Sequence, residues 1–357
     1  MKLFRNAGIK EMSRSKKTAV RLLCLTVCLL LAVSCSVTAF AAQNEETELI
    51  VGGSLFGIKM QTKGVAVVGL DKVTTENGSL SPAYDAGIKI NDAIISINGT
   101  GVSTVKSVTA MIEKSNGKPL EISILRKGSV KNVKLTPALG KDGKYHIGIW
   151  IRDSAAGIGT VTYIDPKTNE FAGLGHGICD GSTGELLQLS RGTVSEVELA
   201  GIVKGRAGCP GEIKGAFKGG KKGAVINNKA SGVYGVYSSL PVGVSEKMMI
   251  ARLDEITLGE ATVRCSVSGQ IADYKIRITK IDPKNENGKN FTITVTDPAL
   301  IKLTGGIVQG MSGSPIIQDG KLVGAVTHVL INDPTTGYGI FIENMLNAAQ
   351  MPIAKAS

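Results

Sequence analysis

Three histidines are all that this 357-residue chain has to offer a serine or cysteine nucleophile as a general base. His146 follows Tyr145, His176 lies in GLGHGICDG, and His328 ends the run LVGAVTH. The best nucleophile is in GMSGSP, residues 310–315, a small-residue turn between two apolar runs. A hydroxyl there attacks only when a base takes its proton and a third group holds that base in the right tautomer. An acid should then fall between His and Ser. Asp297, in TVTDPAL at a strand end, stands 15 residues before Ser312. The ordered set His176, Asp297, Ser312 is therefore the candidate triad. The N–H groups of Gly310 and Ser312 are the candidate oxyanion hole.

Other motifs are weaker. GAFKGGKK (215–222) approaches a phosphate loop, but Lys222 stands where a Ser or Thr must reach Mg²⁺. GLGHG is too short for a dinucleotide fingerprint and no helical pattern follows it. Ser314, with Ser312 rather than a glycine two residues before it, is the poorer nucleophile. No CxxC pair exists, so neither a metal nor any other cofactor is expected.

The elements that must carry these residues read as mainly β. Glycine is abundant, 45 residues, and aromatic residues make up only 4%, which suits tight turns between short strands. From about 139 onward helical periodicity is nearly absent until ENMLNAAQMP. Strands at regular spacing suggest a barrel or a pair of barrels. The GMSGSP turn has the G-x-S-G-[GS]-P pattern of chymotrypsin-like proteases, with Met311 where digestive members carry an Asp that pairs with a newly cut N-terminus. It does not fit the α/β-hydrolase nucleophile elbow, because Ser314 replaces the last glycine.

Ahead of this lies a unit of about 90 residues. SPAYDAGIKINDAIISING (81–99) predicts a short helix, a turn and a strand, and STVKSVTAMIEKS predicts a helix capped by Ser103 or Thr104 with Val105, Val108, Met111 and Ile112 on one face. This order resembles a PDZ domain over 49–138. Leu55, Phe56, Gly57 and Ile58 resemble its carboxylate-binding loop, with an extended peptide expected beside Ile58 and Met60. Asn91 takes the place of a usual glycine. A PDZ-shaped module that binds internal segments, or only positions its neighbour, remains open.

Seven Lys or Arg against Glu11 in the first 21 residues account for +6 of the net charge of +11, leaving +5 elsewhere. That modest excess, without interleaved aromatics, argues against a nucleic-acid partner. The uncharged run 22–41 after the basic segment, ending in Ala39-Phe40-Ala41, reads as a signal peptide or an uncleaved anchor (1–42), followed by a linker (43–48). Either places the remainder outside the cytoplasm. Cys24, Cys28 and Cys35 fall in that segment, and Cys179, Cys209 and Cys265 leave any disulfide pairing open.

Taken together, the export segment, the PDZ pattern, LGHGICD, TVTDPAL and GMSGSPIIQDGKLVGAVTHVLINDPTTGYGI resemble the SpoIVB serine peptidase family of spore-forming Firmicutes. The resemblance implies a PDZ domain before a chymotrypsin-like double barrel (139–357), with His176 as base, Asp297 as orienting acid and Ser312 as nucleophile. It also implies a sporulation signalling endopeptidase that cleaves itself, acting between mother cell and forespore. Its further substrate would be a membrane-bound regulator of an intramembrane metalloprotease that processes a late sigma-factor precursor. An inactive PDZ scaffold at the membrane surface is the competing expectation.

Overall fold

The computed structural model describes residues 47–181, 184–285 and 288–349; the expected export segment and its three cysteines lie outside them. From Glu48 onward the chain is mainly β, as the glycine-rich, strand-spaced sequence leads one to expect. Two closed barrels and a PDZ unit carry separate apolar cores.

The first barrel is a ring of six antiparallel strands. In order around it they are Leu55–Leu70, Ile149–Ile164, Glu170–Gly173, Gly232–Tyr237, Gly223–Lys229 and Leu189–Val203, which returns to Leu55–Leu70. Phe56, Ile58 and Met60 alternate inward from the first of these and meet Phe171, Val194 and Val225 in a dry core. The second barrel closes through Gly259–Cys265, Ala272–Ile281, Phe291–Val295, Asp333–Phe341, Lys321–Leu330 and Pro315–Gln318. Its core includes Phe291 edge-on to Phe341 at 4.6 Å between ring centres. The helix Ile342–Ala349, legible in the sequence, packs Ile342 and Met345 into a fourth cluster with Leu49, Tyr163 and Tyr234.

Two strands of 16 residues do double duty. Leu55–Leu70 gives residues 55–62 to the first barrel and Val65 and Ala66 to pairing with Ile94 and Ala93 of the PDZ unit. Ile149–Ile164 pairs antiparallel with it along both stretches, from Ile149↔Leu70 to Thr160↔Leu55. The PDZ unit is thus inserted into the hairpin that opens the barrel. Beside the expected division, PDZ over 49–138 and peptidase from 139, Glu48–Val51 and Leu55–Thr62 pair with strands of the barrel. A linear reading fails here because both parts need the same strand.

Within the PDZ unit the helix Val105–Lys114 begins as predicted, with Thr104 Oγ1 accepting from the Ser107 N–H at 3.1 Å in a capping box. Val108 and Ile112 are its buried residues. Asn91 adopts φ 74°, a left-handed turn conformation that Asn tolerates better than most side chains, so its replacement of glycine alters only a turn. Asp92, almost fully buried, is held bidentately by Arg126 at 2.6 Å.

Candidate active site

Val308, Met311 and Ser314 shape the nucleophile turn. Met311 N–H donates to the Val308 carbonyl at 3.0 Å, and Ser314 N–H to the Met311 carbonyl at 2.9 Å. The Gln309 carbonyl accepts from Ile213 N–H at 2.8 Å. In a trans peptide the N–H points opposite its C=O. Tying back the carbonyls of Gln309 and Met311 therefore turns the N–H groups of Gly310 and Ser312 outward. Neither donates to a protein acceptor among the described residues. That is the arrangement an oxyanion hole requires. Gly310 has φ 99° and Gly313 φ 93°. A side chain on Gly313 would collide with the Thr160 carbonyl and the backbone of Leu174.

His176 reaches the same place from the first barrel. The strand Glu170–Gly173 ends in two left-handed residues, Leu174 (φ 67°) and Gly175 (φ 66°), which turn the chain abruptly into His176. Gly175 packs against Thr327 and the Val326 carbonyl, so the histidine turn sits on the strand that follows the nucleophile. His176 Nδ1 lies 2.9 Å from the Gly177 carbonyl. A carbonyl only accepts, so Nδ1 carries the hydrogen and Nε2 keeps the free lone pair, the tautomer of a general base. Burial depresses the His176 pKa below its usual value despite the opposing pull of that carbonyl, which keeps the ring neutral at pH 7.

His328 is the second imidazole of the site. Its ring centre is 4.9 Å from that of His176, tilted by 34°. Burial first, then the nearby His176 and Lys289, lower its pKa to about 4. The Ser312 hydroxyl donates to the carbonyl of Thr327, one residue before His328, at 2.8 Å. Ser312, His176 and His328 are thus gathered at the junction of the two barrels.

Asp297 is engaged elsewhere. Its Oδ1 accepts from the N–H groups of Ala299 (2.8 Å) and Leu300 (3.3 Å), and its Oδ2 from Lys275 N–H at 3.1 Å. It is the N-cap of the helix Pro298–Thr304, with Pro298 following the cap directly. Burial would raise its pKa, but the three N–H donors outweigh it and hold the carboxyl below the usual range. No hydrogen bond joins it to His176. Asn228, missed in the sequence, is what braces the histidine turn. Its side-chain amide donates to the carbonyls of Ile178 and Leu187 and accepts from Ile178 N–H, all within 2.9 Å. The only cue, the NNK end of an apolar strand, does not distinguish it from a surface turn.

The expected peptide loop needs correcting. Leu55, Phe56, Gly57 and Ile58 lie mid-sheet, with Phe56, Gly57 and Ile58 paired on one side to Gly159, Ile158 and Gly157 and on the other to Glu196, Ser195 and Val194. Met60 is likewise flanked by Ala155 and Gly192. A strand with both edges filled cannot add a third. The same apolar-Gly-apolar pattern recurs at Ile147-Gly148-Ile149, beside the helix Val105–Lys114. There a groove of about 570 Å³ opens between Thr109 and Ile112 on one wall and Ile149 to Ile151 on the other. Asp71 N–H donates to the Gly148 carbonyl, so by pleat alternation the N–H and C=O of Ile149 face the groove. Asp153 ties the same strand to the start of the helix by accepting from Val105 N–H at 2.8 Å.

Cys179, Cys209 and Cys265 are free thiols. Among the described residues no helix is long and apolar enough to cross a membrane.

A putative zinc metalloprotease of Lactococcus lactis is 38% identical over 69 residues, 19% of this chain and 16% of that protein. The chain spans 16% to 27% of the length of the first curated relatives it matches. Among solved structures, the active form of the Rv3671c protease of M. tuberculosis aligns with 16% identity and TM-score 0.34, covering 57% of this chain and 76% of that one. The HtrA-type protease AlgW aligns with 12% identity and TM-score 0.34, over 56% of this chain and 57% of that one. Residues 55–136 match the PDZ domain model. Residues 143–346, more than half of the chain, match the model described as SpoIVB peptidase S55, so the chain belongs to that family of serine peptidases and carries a PDZ domain within it.

Proposed function

We propose that the chain is a serine endopeptidase in which Ser312 is the nucleophile, His176 the general base, and the Gly310 and Ser312 N–H groups the oxyanion hole. The observation that carries this reading is the pair of outward N–H groups beside a neutral histidine whose Nε2 is free. In the reaction the Ser312 hydroxyl leaves the Thr327 carbonyl by rotating about Cα–Cβ. Its oxygen attacks the scissile carbonyl carbon while its proton passes to His176 Nε2. The carbonyl oxygen takes up the negative charge and the two N–H groups stabilise it. Collapse breaks the peptide C–N bond as His176 returns the proton to the leaving amine. Water, deprotonated by His176, then attacks the acyl carbon, and the ester C–O bond breaks as His176 returns the proton to the Ser312 oxygen and the acid leaves.

Substrates are unfolded or extended protein segments, the chain itself among them. The groove beside Ile149 captures a peptide by strand addition. The family points to a sporulation signal in which an exported, membrane-tethered or released form cuts a membrane-bound regulator of an intramembrane metalloprotease. The space between mother cell and forespore is the compartment that fits the expected export segment. One observation favours the competing scaffold reading: at rest the Ser312 hydroxyl is held by a carbonyl rather than by a base.

Wild type and Ser312→Ala, expressed from residue 43 and followed by intact-protein mass spectrometry with and without a fluorophosphonate, separate the two. Self-trimming and a single phosphonyl adduct in the wild type alone support the peptidase. A wild type that neither trims nor reacts supports the scaffold.

A further inference from the structure

The carbonyls of residues 309 to 313 all have donors, and three of those donors belong to two threonines on the opposite barrel. Thr160, on the strand Ile149–Ile164, gives its Oγ1–H to the Gly310 carbonyl at 2.8 Å and its N–H to the Ser312 carbonyl at 2.9 Å. Thr162 gives its Oγ1–H to the Gly313 carbonyl at 2.8 Å. Thr160 and Thr162 are fully buried. The Thr160 carbonyl also accepts from Leu174 N–H at 3.3 Å, in the turn that delivers His176.

We propose that Thr160 is a positioning residue that sets the oxyanion hole from across the barrel junction. The Gly310–Met311 peptide lies between the two peptides whose N–H groups form the hole. Its N–H is held by the Val308 carbonyl and its carbonyl, among the described residues, by the Thr160 hydroxyl, so that bond acts with those from Ile213 and Ser314 to the flanking carbonyls in fixing how the planes are turned. In digestive proteases an Asp just before the nucleophile is drawn to a new N-terminus and pulls this loop into shape. Here that position is Met311, whose side chain is buried in the apolar core of the second barrel and offers no charge. The first barrel instead contributes a hydroxyl to the bonds that hold the loop. The loop is therefore built as soon as the barrels dock, without a cut.

This inference rests on the peptidase reading. Its test compares the full chain as wild type, Thr160→Val, Thr160→Ala, Thr160→Ser and Ser312→Ala. The readouts are kcat and KM on fluorescein-labelled casein, the second-order rate of fluorophosphonate labelling, and the thermal unfolding midpoint. The expected result for Thr160→Val is a kcat lower by about ten- to hundred-fold, less than the loss of a whole oxyanion donor, with KM within about two-fold of wild type. The labelling rate should fall in parallel, because the phosphonyl oxygen uses the same hole, and Thr160→Ser should restore both. Thr160→Ala removes the same hydroxyl and carries the comparison if the valine variant does not fold.

A folded removal variant with wild-type kcat overturns the role. So does an equal loss in the serine variant, or failure of both removal variants to fold, either of which makes the residue structural. An inert wild type overturns the peptidase reading, and the role of Thr160 with it.

Discussion

Asp297 offers the sharpest discrimination between two uses of one carboxylate. As the cap of Pro298–Thr304 it satisfies three N–H groups, those of Ala299, Leu300 and Lys275. Asparagine caps as well as aspartate, so Asp297→Asn keeps the two helix bonds and loses only the one from Lys275. Asp297→Ala loses all three, and cap removal of this kind costs about 0.5–2 kcal/mol. For a body of this size that lowers the unfolding midpoint by roughly 1–8 °C, since 1 kcal/mol corresponds to about 2–4 °C. The short helix runs through Gly305 and Gly306 into the nucleophile turn, so the alanine variant should also lose some activity through fraying. If Asp297 instead oriented His176, the amide would impose the wrong tautomer and kcat would fall about 10⁴-fold with stability intact. The assay is casein hydrolysis at pH 7 beside thermal denaturation, on both variants. The expected outcome is Asp297→Asn within about three-fold of wild-type kcat, and Asp297→Ala visibly less stable. An asparagine variant with an unchanged midpoint and a thousand-fold loss of kcat would refute the capping argument.

Other outcomes follow from the site. Because burial holds the His176 pKa below its ordinary value near 6.5, kcat/KM should stay level as pH drops through 6.5 and decline only below it; a pH–rate profile with its acid limb at or above 6.5 contradicts this. The depressed pKa values of His176 and His328 mean that the unfolded chain binds more protons, so stability is full above about pH 6.5 and is lost toward pH 4, which denaturant midpoints across that range will register. Trp150 is the chain's only tryptophan, is 63% exposed and lines the groove beside Ile149. In the Ser312→Ala background, extended peptides with a free C-terminus should shift its emission more than their amidated versions, and no shift with either counts against that groove. A fragment beginning at residue 143 lacks Glu48–Val51 and Leu55–Thr62 and should be insoluble or molten, as judged by near-ultraviolet circular dichroism.

Much of this was legible in the sequence because it is local. The turn chemistry of GMSGSP, the capping box at Thr104 and the strand-rich text after 139 each depend on a few neighbouring residues. What could not be read was which strand completes which sheet. Leu55-Phe56-Gly57-Ile58 and Ile147-Gly148-Ile149 carry the same pattern, and only pairing reveals that the first is flanked on both sides while the second keeps an open edge. Asp297 is a different kind of case. The run DPALIKLTG has an N-cap, a proline at the first helical position and a glycine just past the end, all the marks of a short helix. The same residue thus carries a cap signal as well as the place of an acid between His and Ser.

The insertion of the PDZ unit into the opening hairpin also bears on how the chain folds. Between Leu70 and Ile149, which are paired, lie nearly eighty residues, and closing so long a loop while it is unstructured carries an entropic penalty that slows the joining of its ends. Once the PDZ unit is folded, its own sheet holds those ends side by side. The remaining stretch, from Val67↔Ile151 to Leu55↔Thr160, can then close like the arms of a short hairpin. The inserted domain would act as an internal template for the barrel. Substitutions in the PDZ core, at Ile122 for instance, should slow the appearance of the barrel even though that residue pairs with Ile97 and Val133 of the PDZ sheet and with no strand that closes the barrel.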